Sequence, residues 1–414
     1  MEENQFIEVT NDNLTSLLTV YNKQVEQELK DILEYWLHNA RDIINGGFVG
    51  RIDENNVPHA DAVKGAVLNC RILWAFSEAF KVNPDPLYLK TATDAFNYLI
   101  QYFFDKESGG IYWTVTASGE PLDTKKQVYA IAFAVYASTA YFEASNDNAA
   151  KEWAIRLYKT IEKYSYDKVY QGYFEAFDKD WSSIADLRLS HKDANEKKTA
   201  NTHLHVLEAY TCLLGIWPDM NLKQQLEKLI ENFLKIFIDE NSGHLRLFFN
   251  EKWATKSTLI SYGHDIEAAW LLVVAATATG NKALEQEVKM VVKKLAFSAA
   301  KGLDADGGLW YEYEPAENHI NKEKHWWVQA EAMVGFFNHW QITGDQNFLE
   351  RSYRSWLYVD AFIKDKTYGE WLWGRNADGT IMQGQDKVGL WKCPYHNARA
   401  CIEIMGRIKN YLHR

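Results

Sequence analysis

Apolar residues recur at helical spacing in twelve segments, near 20–42, 61–81, 87–104, 125–144, 148–164, 199–214, 221–237, 263–279, 282–299, 325–341, 345–363 and 394–412. The segments alternate in character. Even-numbered members are Ala-rich and apolar on every side, as in VYAIAFAVYASTA from Val128 and IEAAWLLVVAATA from Ile266, the pattern of a helix buried all round. Odd-numbered members keep a charged face, as in KQQLEKLIENFLK from Lys223 and ALEQEVKMVVKKL from Ala283. An inner and an outer set of helices follows.

Between the pairs, a glycine-and-aromatic hairpin signal returns six times: NGGFVGRIDENN at Asn45, SGGIYWTVTASGE at Ser108, QGYFEAFDKDW at Gln171, SGHLRLFFNEKW at Ser242, DGGLWYEYEP at Asp306 and YGEWLWGRNADG at Tyr368. Gly47, Gly110, Gly172, Gly243, Gly308 and Gly369 step by 63, 62, 71, 65 and 61 residues, a near-constant period. The expected fold is therefore all-α: an (α/α)6 toroid of six helix-pair repeats, with short β-hairpins at one end. Closure buries each unit against two neighbours without capping repeats. No Pro-, Ser- or Gly-rich linker interrupts the chain, so residues 1–414 are expected to form a single catalytic domain. In such a ring the inner helices run the same way, and residues near their N-termini gather around one mouth.

Composition narrows the partner. A net charge of −11 counts against nucleic acid and anionic membranes, and a neutral small molecule fits better. No apolar run approaches bilayer length. The N-terminal MEENQFIEVTNDN lacks the basic and apolar regions of a secretory signal, and Cys70, Cys212, Cys393 and Cys401 show no zinc-ligand spacing. Free thiols in the cytoplasm are expected. Aromatic residues make up 14% of the chain, including 16 Trp; most belong to core and hairpins, but aromatic faces also suit the apolar face of a sugar.

Four polar pairs open apolar inner helices at i, i+3 or i, i+4 spacing, which puts each pair on one face. They are Asn201 with His205, His264 with Glu267, Trp327 with Glu331, and His396 with Arg399. Arg71 lies deeper along the second helix, and all five elements face one cavity if the ring closes. A single histidine in such a place reads as a hydrogen-bonded core residue. Three at one level of three inner helices point to proton transfer. A metal is not expected: His203 and His205 lie on different helix faces, and HExxH is absent. Glu267 and Glu331 sit in apolar sequence where an unpaired carboxylate is costly, so they orient a histidine or hold a hydroxyl. Arg71 needs an acceptor, either Glu331 or a substrate oxygen.

At NTHLHVLEAYT, SYGHDIEAAW, KHWWVQAEAM and WKCPYHNARA, with Arg71 upstream, the chain resembles the N-acylglucosamine 2-epimerase superfamily, and within it the group of cellobiose 2-epimerases. The resemblance implies an (α/α)6 barrel and metal-free, cofactor-free C2 epimerisation of a reducing sugar by ring opening and a cis-enediolate. It implies His264 and His396 as the acid/base pair, His205 as a third active-site histidine, and Arg71 near the enediolate oxygen. Asn201, Glu267, Trp327, Glu331, Trp391 and Tyr129 match positions that bind the sugar. The expected substrate is a cellobiose- or lactose-type β-1,4-disaccharide, and the expected assembly a monomer or weak homodimer. The alternatives are an epimerase of free mannose or glucose, an aldose–ketose isomerase, and an (α/α)6 glycoside hydrolase using Asp61, Asp186, Glu267 or Glu331. Two loops, 176–198 and 237–262, are expected at the mouth.

Overall fold

Each apolar stripe becomes a helix in the computed structural model, which describes residues 13–413. Segment 1–12, on which the expectation about a secretory signal rests, lies outside the described residues. The helices are α1 (Leu14–Asn39), α2 (Ala66–Val82), α3 (Pro86–Tyr98), α4 (Val128–Ser145), α5 (Asn148–Tyr164) and α6 (Ala200–Ile216). The second half holds α7 (Met220–Asn232), α8 (Tyr262–Thr279), α9 (Lys282–Ala299), α10 (Trp326–Thr343), α11 (Gln346–Tyr358) and α12 (His396–Leu412). Three outer helices end in a π-helical turn, at Leu99–Phe103, Phe233–Phe237 and Val359–Ile363. The first helix begins earlier than its expected start near 20, because Leu14, Leu17, Leu18 and Tyr21 already form its buried stripe. The second begins later than expected, because Lys64–Gly65 is drawn into strand pairing.

The two classes of helix are as the pattern requires. Every residue of α4 from Val128 to Tyr141 is buried. In α5 only Ala150, Trp153, Ala154, Leu157, Tyr158 and Ile161 are, the i, i+3, i+4, i+7 stripe of a helix with one face in water. Five outer helices start on an Asp or Asn whose side chain accepts from the first turn: Asp85, Asp147, Asp219, Asn281 and Asp345. Helices α2, α4, α6, α8, α10 and α12 touch in that order and α12 returns to α2, while α1 packs on α12, so the first and last helices complete the sixth pair. The (α/α)6 ring is closed.

The hairpins all lie at the N-terminal end of the inner helices and bind one unit to the next. Lys64–Gly65 pairs with Thr114–Val115, Lys126–Gln127 with Ala176–Phe177, and Lys198–Thr199 with Phe248–Phe249. Ile260–Ser261 and Lys324–His325 repeat the pattern, and an Ile52–Val388 bridge closes it across the chain ends. The carbonyls of Trp113, Glu175, Leu247 and Trp373 accept the first backbone N–H of α2, α4, α6 and α10 at 2.9–3.0 Å, and of these four only α6 also has a side-chain cap, from Thr199.

A buried ion pair sits under most hairpins. Asp42, Asp105 and Asp167 each accept two backbone N–H groups of their own turn and meet the ammonium of Lys64, Lys126 and Lys198 at 2.7, 2.7 and 2.8 Å. Burial pushes these carboxyls up, but the backbone donors and the ammonium together hold them below the ordinary range. Lys324 meets Asp304 at 2.8 Å in the fifth unit; in the fourth, Ile260 stands where the lysine would be and Arg246 pairs with Asp239 instead. Among the described residues no helix is long and apolar enough to cross a membrane.

Both partners of the Lys126–Asp105 pair are fully buried. Replacing Lys126 by Met leaves an uncompensated carboxylate and should cost about 3–5 kcal/mol in guanidinium-induced unfolding, most of it recovered by adding Asp105→Asn. A loss below about 1 kcal/mol in the single variant would show that the pair does not fasten the hairpin.

Candidate active site

The inner-helix N-termini surround a cavity of about 460 Å³. Arg71 on α2, Tyr129 on α4, Asn201 and His205 on α6, His264 and Glu267 on α8, Trp327 on α10, and Trp391 and His396 at the entry to α12 all line it; Tyr129 and Trp391 were expected from the resemblance alone, the others also from their helix faces. Glu331 takes the first of its two expected roles, orienting a histidine, and not that of a residue facing the sugar. It does not line the cavity but lies one turn below, where Oε1 accepts from His396 Nδ1 at 2.7 Å and from Arg399 Nη2 at 2.6 Å, and Oε2 accepts from Trp270 Nε1 at 3.0 Å. With both oxygens engaged by protein donors, it holds the His396 ring in place.

Arg399 was expected to share the cavity face with His396 and also lies beneath it. Its buried guanidinium gathers carboxylates from three helices: Nη1 donates to Glu208 and to the Tyr395 hydroxyl, and Nη2 donates to Glu267 Oε1 at 2.7 Å and to Glu331. Glu208 in turn takes His205 Nδ1 at 3.1 Å and the Tyr395 hydroxyl at 2.6 Å. Burial raises the Glu208 carboxyl, but Arg399 and His205 bring it down to about 2. Burial and the neighbouring Glu331 push Glu267 up to about 8 against the pull of Arg399. Glu208 and Tyr395 were missed from the sequence, although Glu208 stands at i+3 from His205.

The three histidines are neutral. Burial lowers His205 and His264 to about 4, and burial with Arg71 and Arg399 nearby lowers His396 well below the ordinary value. Each ring is held at Nδ1: His205 by Glu208, His396 by Glu331, and His264 by the Ser261 hydroxyl at 2.8 Å. Trp327 lies against two of them, 4.9 Å from the His264 ring and 5.8 Å from that of His396.

Arg71 does not meet Glu331. Nη2 donates to the Tyr129 hydroxyl at 2.8 Å, Nη1 has only the Trp391 carbonyl at 3.4 Å and Cys393 Sγ at 3.7 Å, and Nε has no partner among the described residues. The guanidinium packs on the rings of Phe133 and Tyr395, at 4.3 and 4.6 Å. It is an incompletely satisfied buried cation beside an open cavity.

One group among the described residues has ligand spacing for a metal: Glu267, Glu331 and His396, with atoms within 4.8 Å of one another. The Arg399 guanidinium already donates to both carboxylates, so a cation there would face a fixed positive charge. His203 is structural, with Nδ1 on the Thr199 carbonyl at 2.6 Å and Nε2 accepting from Tyr173 N at 2.9 Å. Asp61 and Asp186 are exposed, which removes two of the carboxyls a hydrolase would draft.

The 176–198 loop reaches the mouth through Leu189, Ser190, His191, Lys192 and Asp193, as expected. The 237–262 segment does not line the cavity; its Trp253 packs down on His203 and Phe237 and donates to the Tyr170 carbonyl at 2.7 Å. Tyr311, His325, Trp373 and Gln385 take its place; Tyr311, Trp373 and Gln385 were missed because they lie outside the inner-helix motifs, and His325 although it stands within KHWWVQAEAM, directly before α10.

Replacing Arg399 by Met leaves three buried carboxylates facing one another and should cost about 3–5 kcal/mol at neutral pH. In that variant the folded carboxyls bind protons that the unfolded chain releases, so the deficit relative to wild type should shrink as pH falls from 8 to 5 in denaturant titrations. A deficit that does not change with pH would contradict this charge arrangement.

The N-acylglucosamine 2-epimerase (GlcNAc 2-epimerase) family matches residues 46–400. A cellobiose 2-epimerase of Bacteroides fragilis is 46% identical over 390 residues, spanning 94% of this chain and 99% of that protein. Among solved structures, cellobiose 2-epimerase from Bacillus thermoamylovorans superposes with a TM-score of 0.89 at 39% identity, covering 95% of this chain and 100% of its own. That from Spirochaeta thermophila gives 0.91 at 35% identity, covering 97% and 100%. The chain belongs to the N-acylglucosamine 2-epimerase family, and is a carbohydrate epimerase, an isomerase.

Proposed function

We propose that the protein inverts C2 of a reducing sugar through the open-chain aldose and a cis-enediolate, with a β-1,4-linked disaccharide ending in glucose, such as cellobiose or lactose, as substrate. The observation that carries the chemistry is the cavity itself: neutral, oriented imidazoles and the under-satisfied guanidinium of Arg71. An imidazole with Nδ1 held presents Nε2 as a base, and His264 and His396 are the pair that removes and returns the C2 proton. Arg71 offers N–H donors to the oxygens on which the enediolate charge develops, and removing one such donor in other enzymes slows the reaction by roughly two to three orders of magnitude. His205 and Asn201 complete the polar wall. Trp327, Trp391 and Tyr129 supply aromatic faces to sugar rings, and Glu267 meets a hydroxyl or ring oxygen.

The disaccharide is supported by relatives called cellobiose 2-epimerases and by a cavity whose volume falls in the range of small-molecule sites. The scheme needs no nucleotide, flavin or metal ion. The same reading makes residues 1–414 one catalytic domain, a monomer or weak homodimer, and places it in the cytoplasm, where four free cysteines are at home.

Product formed in deuterium oxide should carry label at C2. His264→Ala and His396→Ala should each lower kcat by at least about 10²-fold with the helical circular dichroism intact; wild-type turnover in either removes it from the proton-transfer pair. With cellobiose, kcat/KM should exceed that for free glucose or mannose. A tenfold preference for the monosaccharide, about 1.4 kcal/mol, would assign the site to single sugars.

The acid limb of kcat/KM reports the free enzyme's bases. With His264 at about 4 and His396 held well below the ordinary value, activity should stay flat from pH 7 down to about 5 and fall only near 4 or below. A midpoint near 6.5 would mean the histidines are solvated.

A further inference from the structure

One buried cation has no counter-ion. Every other buried lysine or arginine among the described residues, from Lys64 to Arg399, meets at least one carboxylate oxygen in an ion pair. Arg71, 2% exposed on α2, meets none. Its partners are a hydroxyl, a carbonyl and a thiol: Tyr129 at 2.8 Å, Trp391 at 3.4 Å and Cys393 at 3.7 Å. A guanidinium at that depth without an anion is costly, and the fold keeps this one in the wall of an open cavity.

The carboxyls that line the same cavity do not supply the missing charge. Glu267 is held at 2.7 Å by Arg399, and Asp193 accepts the backbone N–H and the hydroxyl of Ser190 in its own loop at 2.8 and 2.9 Å. The site is complementary to one added negative charge beside Arg71. A neutral sugar offers that charge only once an enediolate forms, whereas a ground-state anion of similar shape offers it at once. An aldonate is such an anion. Its C1 is planar, its two C1 oxygens share one charge that a guanidinium meets with paired N–H groups, and its chain does not close to a hemiacetal.

We propose that the cavity is also an inhibitory site for aldonates, taking the open-chain acid of a β-1,4-disaccharide, such as lactobionate or cellobionate, with its C1 carboxylate on Arg71. The inference rests on the epimerase reading for the sugar, and adds to it a ligand of different charge that regulates the site. An aldonate binds without turnover, because removing its C2 proton would place a second negative charge next to the carboxylate. The complex stops at binding. The consequence is that the enzyme slows wherever the acid form of its substrate accumulates.

The test is titration calorimetry of the wild-type protein at neutral pH with lactobionate and with lactitol, the neutral open-chain polyol of the same carbon skeleton. Lactobionate should bind about tenfold more tightly, since hydrogen bonds to a charged group are worth more than those to a neutral one, and should raise the apparent KM for lactose at unchanged kcat. Lactitol binding as tightly or more tightly overturns the proposal and leaves epimerisation standing. Lactobionate binding that leaves KM unchanged also overturns it, since the anion then sits elsewhere. Preferential binding of lactobionate by a protein that does not epimerise lactose supports the aldonate site and sinks the epimerase reading. In Arg71→Met the preference over lactitol should vanish while lactitol binds as before; a preserved preference removes Arg71 as the counter-ion. Should that variant not fold, salt decides for the wild type. A buried pair is screened little, so the preference should hold from about 0.05 to 0.5 M ionic strength, and its loss over that range assigns the anion to surface lysines and overturns the proposal.

Discussion

One guanidinium organises the chemistry of this barrel. Six inner helices pointing the same way leave an axis that is neither solvent nor core, and Arg399 reaches into it from the last of them to meet Glu208, Glu267 and Glu331 on three others. Isolated, any of these charges would be expelled or neutralised at such depth. Held together, they fix one another, and each carboxylate then has a second use. Glu208 sets the His205 ring, Glu331 sets the His396 ring, and Glu267 stays toward the cavity. The orientation of two of the three histidines is thus inherited from a side chain that lies beneath the cavity.

The six-fold repeat explains where this network is. Every unit ends its outer helix in an aspartate-nucleated turn, and five of the six inner helices start from a short strand paired to the next hairpin, the sixth being tied in by the Ile52–Val388 bridge, so the inner helices begin at one level. Closure depends on the chain ends: beyond the Ile52–Val388 bridge, Arg51 meets Asp386 at 2.8 Å, and three residues past the bridge the Trp391 carbonyl accepts from Arg71. The units share architecture and divide the chemistry. The first supplies Arg71, the second Tyr129, and the third, fourth and last supply the histidines.

Much of this was legible in the chain, because periodicity and glycine spacing are local signals with direct physical meaning. Gly172, at φ +75°, would place a Cβ 2.4 Å from the Trp253 ring, which is why the repeat marks itself with glycine. The even helices read as inner because VYAIAFAVYASTA has no solvent face, and i, i+3 spacing put His264 and Glu267 on one wall. The spacing could not give depth. Glu331 and Arg399 share a helix face with Trp327 and His396, yet one turn is about 5.4 Å along the axis, enough to move a carboxylate from the cavity to the layer below. Nor could it show that Arg71 turns to Tyr129, a contact across two helices, or that Tyr311 and Trp373 arrive at the mouth, since they sit on hairpins that no helical period describes.

The low basicity of His396 is at odds with a proton-accepting role until the charge of the intermediate is counted. Arg71 and Arg399 flank the ring and oppose a third positive charge, so in the empty site the imidazole stays neutral with its Nε2 lone pair available. In the proposed reaction an enediolate forms beside Arg71. Its negative charge offsets the guanidinium that had suppressed the imidazolium, and an opposite charge within a few ångströms raises the pKa of a base by one to three units. The histidine therefore becomes a stronger base as the proton moves to it and a weaker one once the charge is quenched, which favours letting the proton go. His264 is backed by the neutral Ser261 hydroxyl and has Glu331 as its main opposing charge, so it follows the same cycle with less amplitude. Placing both arginines on the side of His396 thus couples the strength of the base to the lifetime of the anion it creates.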